Sequence, residues 1–295
     1  MMERLRIAVV GVGGIGSTFA FQLARSGHHE VTVVARPGSP RLAQLERDQA
    51  IVDTSGERAE VRVADTLPEE TPFDLVVVTL LAHQVDAVLP ALQQSAAKRI
   101  LFMFNTFDPE RVRDAIGAAR CSFGMPFVQA RVDDDGRLKA TIGAGGQRTL
   151  FSEQRWVDVF AAAGLPAALE PDMVVWLRCH APLCVAFESV SVAGMRRGGG
   201  ASWAEARVLA RGVHEGFALV QGLGYRLHPS GKRWLNRCPT WVVATMLWSM
   251  SRIRSFRELL ATGAGECRAL VDAMVAAAPR ATPHVRVARI QAMRP

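Results

Sequence analysis

Residues 6–16, RIAVVGVGGIG, constrain this chain more than any other stretch. A short apolar run feeds directly into Gly11-x-Gly13-x-x-Gly16, and STFAFQLARSG follows with a helical pattern. Strand, glycine turn and helix in that order form the dinucleotide-binding fingerprint. Gly11 permits the tight turn, Gly13 leaves a pyrophosphate room at the backbone, and Gly16 lets the helix pack close on the strand. The helix start adds free N–H groups and a positive dipole end. Gly11, Val12, Gly13, Gly14, Ile15 and Gly16 are therefore expected to line a dinucleotide. The next strand signal, VTVVAR (31–36), ends in Arg36. An acidic residue there would bind the ribose hydroxyls of NAD, whereas a guanidinium suits a 2′-phosphate. NADP(H) is thus the expected cofactor, with Arg41 as a second nearby charge; a solvated loop arginine is the plainer alternative for Arg36.

Strand and helix signals alternate through the first half. DLVVVTLL (74–81) and RILFMFN (99–105) read as buried parallel strands, and IVDTSGERAEVRVAD (51–65) reads as a hairpin-like pair. HQVDAVLPALQQSA reads as a helix, TFDPERVRDAIG opens another behind Pro109, and SEQRWVDVFAAAG ends one at Gly164. Two further strands, around CSFGMPFVQARV and RLKATIGA, flank the turn Asp134-Asp135-Gly136. Leu165–Asp172 holds two prolines and marks the domain boundary. Beyond it strand signals fade and helical stretches take over, with YRLHPSGKRW as a bridge and 198–200 as a glycine linker. The fold class is α/β: a Rossmann domain over 1–168, followed by an all-α domain over 169–295.

The net charge of +7 is uneven, because residues 171–295 carry 17 Lys+Arg against only 7 Asp+Glu. That half suits an acidic, small-molecule substrate. No basic run is interleaved with aromatics, so nucleic acid is not expected. No unbroken apolar run approaches the ~18 residues of a membrane span. The five cysteines (121, 179, 184, 238, 267) lack zinc-type pairing, so no metal site and a reduced, cytoplasmic chain are expected. Lysine is confined to Lys98, Lys139 and Lys232. The tryptophan-rich TWVVATMLW reads either as a homodimer interface in the helical domain or as that domain's core.

The order of these landmarks resembles the ketopantoate reductase family, which joins an NADP-binding Rossmann domain to a helical, 6-phosphogluconate-dehydrogenase-like domain. The resemblance covers nearly the whole chain. It rests on GVGGIG, on Arg36, on LAHQ (81–84), on Phe104-Asn105-Thr106, on Trp176-Leu177-Arg178 and on TMLWSMSRIRSFRELLATG (245–263). It implies that Leu81, Gln84 and Asn105 belong to the cofactor site, with Leu81 in place of the family's lysine. The departures fall on the chemistry. The family's general-acid lysine is matched by Arg178, its two helix asparagines by Pro182 and Ala186, and its substrate-binding glutamate by Arg257. Glu258 stands one residue away from the glutamate position.

Reduction of a ketone leaves an alkoxide that needs a proton or an electrophile. Arginine cannot supply the proton, with a pKa above ~12. Arg178 is a candidate carboxylate clamp or a structural ion-pair residue, and Arg257 a second substrate-binding cation. His180, Ser189 and Glu258 are candidates for the replaced catalytic groups, with a packed histidine and an Arg254–Glu258 helix pair as the plainer readings. His83 is a candidate lining residue of the cofactor crevice, while His214 and Glu215 read as structural. The expected function is NADPH-dependent reduction of a small, carboxylate-bearing carbonyl or imine compound other than ketopantoate. The alternatives are 2-dehydropantoate 2-reductase with rearranged catalytic residues, and an NADP(H)-binding sensor or interaction protein without turnover.

Overall fold

The computed structural model describes residues 3–261 and 263–295, the side chain of Ala144 excepted. Two compact units emerge. The first is built on Met1–Phe104 with Glu110–Met173, and the second on Asn105–Pro109 with Val174–Pro295.

In the first unit, β1 (Arg6–Val10), α1 (Gly14–Arg25), β2 (Glu30–Val34) and α2 (Pro40–Asp48) follow in turn. A small antiparallel pair, β3 (Ala50–Val52) with β4 (Arg58–Glu60), precedes β5 (Arg62–Ala64), β6 (Leu75–Val78) and α3 (Leu89–Gln94). Then come β7 (Ile100–Met103), α4 (Pro109–Ile116) and β8 (Cys121–Met125). β9 (Val128–Val132), β10 (Leu138–Ile142), β11 (Thr149–Phe151), α5 (Gln154–Ala162) and β12 (Ala167–Leu169) complete the unit. Eight strands form one sheet in the order β12-β11-β8-β7-β6-β1-β2-β5, parallel except where β11 meets β8. From β5 to β8 this is the order of a doubly wound dinucleotide fold, and it reverses between β1 and β6. The central strands are apolar throughout because both faces are covered: β1, β6 and β7 bury Ile7, Val9, Leu75, Val77 and Leu101 completely.

Three segments differ from the sequence-based expectation. CSFGMPFVQARV divides into β8 and β9 around Pro126, which has no N–H for a ladder. β8 stays in the main sheet, while β9 leaves it and pairs with β10 through the turn at Gly136. The Pro-containing stretch after Gly164 holds β12, which extends the sheet parallel to β11. The helix expected from His83 begins as a 3-10 turn over Ala82–Ala87 before α3.

The second unit is helical: α6 (Met173–Arg196), α7 (Trp203–Gly222), α8 (Ser230–Arg237), α9 (Thr240–Met250), α10 (Arg254–Leu260), α11 (Ala264–Ala277) and α12 (Val287–Gln291). The expected bridge around YRLHPSGKRW therefore contains α8. Ser202 opens α7 with a capping box, its hydroxyl accepting from Glu205 N while Glu205 accepts from Ser202 N. α6 is long and apolar enough to cross a membrane, although Arg178 and Glu188 interrupt its apolar run. Its most apolar window is 78% buried within the fold, as the central helix of a packed unit would be. Val185, Ala186 and Val190 from α6 pack with Val213, Phe217, Val243, Leu247 and Val271. In TWVVATMLW, Val243, Ala244 and Leu247 are core residues, whereas Trp241 stands in solvent.

Candidate functional site

The glycine turn after β1 has the geometry that the fingerprint implies. Gly11 adopts φ +93°, a conformation L side chains rarely take. A Cβ on Gly16 would lie 2.0 Å from the Gly11 carbonyl oxygen and 2.5 Å from Thr79 Oγ1, so only glycine lets α1 sit this close. A Cβ on Gly14 would lie 2.3 Å from the Ala130 carbonyl oxygen of β9, so Gly14 also serves packing. Gly13 is exposed and its missing side chain opens onto empty space. It caps α1 without a side-chain hydrogen bond, and the first turn carries no acidic residue. The first N–H groups of that helix have no intrahelical acceptor.

The carbonyls of the turn are tied back toward the protein. Thr79 Oγ1 donates to Gly11 O (2.5 Å), and Ser17 Oγ donates to Val12 O (3.1 Å). Arg41 joins them: its Nε donates to Val12 O (3.2 Å), Nη2 to Ser17 Oγ (2.8 Å) and Nη1 to Gly136 O (3.0 Å). Burial pushes the Arg41 guanidinium down to about 10, partly offset by Asp48, and it remains a cation at neutral pH. With carbonyls held inward, the N–H groups of Gly14 and Ile15 are left for an anion. These residues fit a dinucleotide pyrophosphate. Arg36 is exposed just past β2, whereas Arg41 is committed to the turn and the hairpin. Gln84 Oε1 accepts from Leu81 N (3.1 Å) at the start of the 3-10 turn after β6, with Leu81 and His83 exposed beside it.

The candidates for replaced chemistry separate in the second unit. Arg178 is 3% exposed, its guanidinium between the rings of Phe107 (5.2 Å) and Tyr225 (4.6 Å). Three of the candidate catalytic side chains are engaged by other groups. Ser189 is buried and donates to the Met293 carbonyl (2.7 Å), so its hydroxyl is occupied by the C-terminal segment. His180 stacks on Trp176 (4.5 Å), and burial together with Lys232 pushes its pKa down to about 3, so it is not a proton donor near neutrality. Glu258 is exposed and paired along α10 with Arg254 (2.7 Å), the plainer of its two readings. Arg257 donates from Nη1 to Ser251 O (2.8 Å) and braces the end of α9. Glu215 accepts from Arg286 N and Arg289 Nη1, a structural tie to the segment before α12.

Two groups escaped the sequence reading. Lys232 is buried, with Nζ donating to Trp176 O (3.0 Å) and lying over its ring. Glu188 of α6 is buried beside Cys184, Cys267 and Glu266. Its signal was present: Glu188 is the one charge between Arg178 and Arg196 in an otherwise uncharged stretch of α6. Asn105, the second residue past β7, is 8% exposed and hydrogen-bonds to Glu266 through its side chain and backbone, while its Oδ1 has no partner among the described residues.

Residues 7–154 match the family described as Ketopantoate reductase PanE/ApbA. A 2-dehydropantoate 2-reductase of Bacillus subtilis (strain 168) is 30% identical over 101 residues, which cover 34% of this chain and 33% of that protein. The chain thus spans about a third of the length of that curated relative. Among solved structures, the PanE/ApbA family ketopantoate reductase of Ralstonia eutropha JMP134 aligns with a TM-score of 0.74 and 18% identity, over 98% of this chain and 96% of its own. D-mandelate dehydrogenase with NADH aligns with a TM-score of 0.72 and 14% identity, over 97% and 95%. The structural likenesses speak for the fold, the family match covers half the sequence, and the chain belongs to the ketopantoate reductase family.

Proposed function

We propose that this protein is an NADPH-dependent reductase of a small, carboxylate-bearing carbonyl or imine compound other than ketopantoate. The observation that carries the reading is a contrast within one chain. The glycine turn is open at Gly13 and braced behind, while Arg178, Pro182, Ala186 and Arg257 stand where the family resemblance implies lysine, two asparagines and glutamate. Cofactor features kept beside replaced reaction chemistry suit a changed substrate. The α1 N–H groups and the turn at Gly13 hold the pyrophosphate. Arg36 pairs with the 2′-phosphate. When bound, NADPH supplies the hydride that reduces the carbonyl. Arg178 supplies a fixed positive charge for the substrate carboxylate next to the segment that follows β7.

Fluorescence titration with NADPH and NADH, followed by absorbance assays against a panel of 2-oxo acids, tests this reading. NADPH is expected to bind about tenfold or more tighter than NADH, since a charge-assisted phosphate contact is worth about 1.5–3 kcal/mol. Arg36→Glu is expected to reverse that preference. Turnover of a panel member but not of ketopantoate supports the changed substrate; ketopantoate as the best substrate refutes it.

A further inference from the structure

The reductase reading leaves one requirement open. The oxygen of a reduced carbonyl must gain a proton, and Ser189, His180 and Glu258 are held in other roles. The second unit contains another acid. Glu266 lies in the first turn of α11, partly exposed, and receives hydrogen bonds from the backbone and side chain of Asn105. Beside it, the Glu188 carboxylate accepts from Cys267 Sγ (2.9 Å) and Cys184 Sγ (3.4 Å). A Cβ on Gly263 would lie 2.0 Å from Glu188 Oε2, so the carboxylate sits at the N-cap of α11, where the helix favours negative charge. The groups that face Glu266 are thus Glu188 and Cys184 from α6, Cys267 from α11, and Asn105. None of these is a cation.

We propose that Glu266 is the proton donor of this site, in place of the lysine absent at Arg178, with Glu188 and Asn105 as the residues that position it. The proposal rests on the reductase reading above. Two neighbouring carboxyl groups do not both ionise readily. Burial and the Glu188 charge push Glu266 up to about 7, so the protonated acid is available near neutrality. Glu188 is buried whereas Glu266 keeps partial solvent exposure, so of the two Glu266 is the one open to proton exchange. Asn105, which hydrogen-bonds the acid, is the second residue past β7 in the chain, and ligands of parallel sheets bind beyond the carboxyl ends of the strands. In the step, the carbonyl carbon gains a hydride from NADPH, which is oxidised to NADP⁺. The π-electron pair moves to the carbonyl oxygen, that oxygen takes the Glu266 proton, and the Glu266 carboxylate is reprotonated from solvent.

Glu266→Gln and Glu188→Gln test the assignment with two readouts. In the ligand-free protein, infrared spectra should show a protonated carboxyl that persists to near-neutral pH and is missing in Glu266→Gln. In turnover, Glu266→Gln should bind NADPH as the wild type does yet lose roughly a hundredfold or more in kcat. Glu188→Gln should keep turnover but shift the alkaline limb of the kcat profile to lower pH, because the repelling charge is gone; a merely structural glutamate would leave that limb in place. Wild-type kcat in Glu266→Gln, an unmoved limb in Glu188→Gln, or no carboxyl titrating near neutrality overturns the donor role, while NADPH oxidation by the wild type keeps the reductase reading. A wild type that oxidises no NADPH with any panel member overturns both.

Discussion

At the scale of single residues, two glycines of one motif do different work, and their substitutions should separate binding from stability. Gly13 faces open space, so Gly13→Ala has room for its methyl in the ligand-free protein. That methyl would stand where a pyrophosphate must approach the backbone. Gly13→Ala is therefore expected to melt like the wild type and to bind NADPH about tenfold or more weakly. Gly16 faces the Gly11 carbonyl and Thr79, so its methyl must push α1 off the sheet. Overpacking of that kind costs about 1–3 kcal/mol, and Gly16→Ala should lower both the melting temperature and NADPH affinity. Paired thermal melts and fluorescence titrations check this, and equal melting losses in the two variants would count against it. These glycines were legible in the sequence because their spacing is local. Glu188 and Glu266 were not. Glu188 meets Cys267 from 79 positions away, and nothing in either local pattern shows that α6 and the start of α11 touch. The partners of His180 and Ser189 were hidden in the same way, since they are Trp176, Lys232 and the C-terminal Met293.

Among the elements, the β9–β10 hairpin was expected from its turn at Asp134-Asp135-Gly136, but its separation from β8 was hidden. Its strands are only half apolar and its first strand follows β8 after two residues, so the pair reads as one run until Pro126 is recognised as a break. The central strands were easier, because burial on both faces leaves continuous Val, Ile and Leu. The hairpin is tied to the glycine turn by one side chain. Arg41 of α2 reaches Val12 O and Ser17 Oγ on one side and Gly136 O at the hairpin turn on the other. Arg41→Ala leaves these acceptors without that donor, which costs about 1–3 kcal/mol per unsatisfied buried group. The expected result is local: amide exchange should quicken at residues 12–14 and 133–136, and NADPH affinity should fall, while strands β6 and β7 keep wild-type protection. Unchanged exchange at the glycine turn would show that Thr79 and Ser17 hold it without Arg41.

For the whole molecule, two groups of the helical unit, Glu266 and His180, set opposing slopes of stability against pH. Glu266 has a folded pKa of about 7, raised by burial and by Glu188 from the ordinary glutamate value of 4.5. The folded state then holds a proton that the unfolded chain releases, so its contribution is complete below about 4.5 and is lost as pH rises to about 7. Glu188, also raised by burial, acts in the same sense. His180 is the reverse: its folded pKa is about 3 against 6.5 for a free imidazole, mainly through burial. The unfolded chain takes up that proton first, so the contribution is complete above about 6.5 and is lost as pH falls toward about 3. Between about 4.5 and about 6.5 the slopes of Glu266 and His180 offset one another, and these groups lower stability with rising pH only by what Glu188 adds. Each pKa unit corresponds to ~1.4 kcal/mol, so each arm is on the order of 2 kcal/mol or more. Removing one group should expose the other. Glu266→Gln should gain stability steadily from about pH 4 to about pH 6.5 and then level off. His180→Phe, which keeps a ring against Trp176, should instead lose stability steadily over the same interval. Urea unfolding across that range reads both slopes, and variants that keep the wild-type profile would mean that neither proton is coupled to folding.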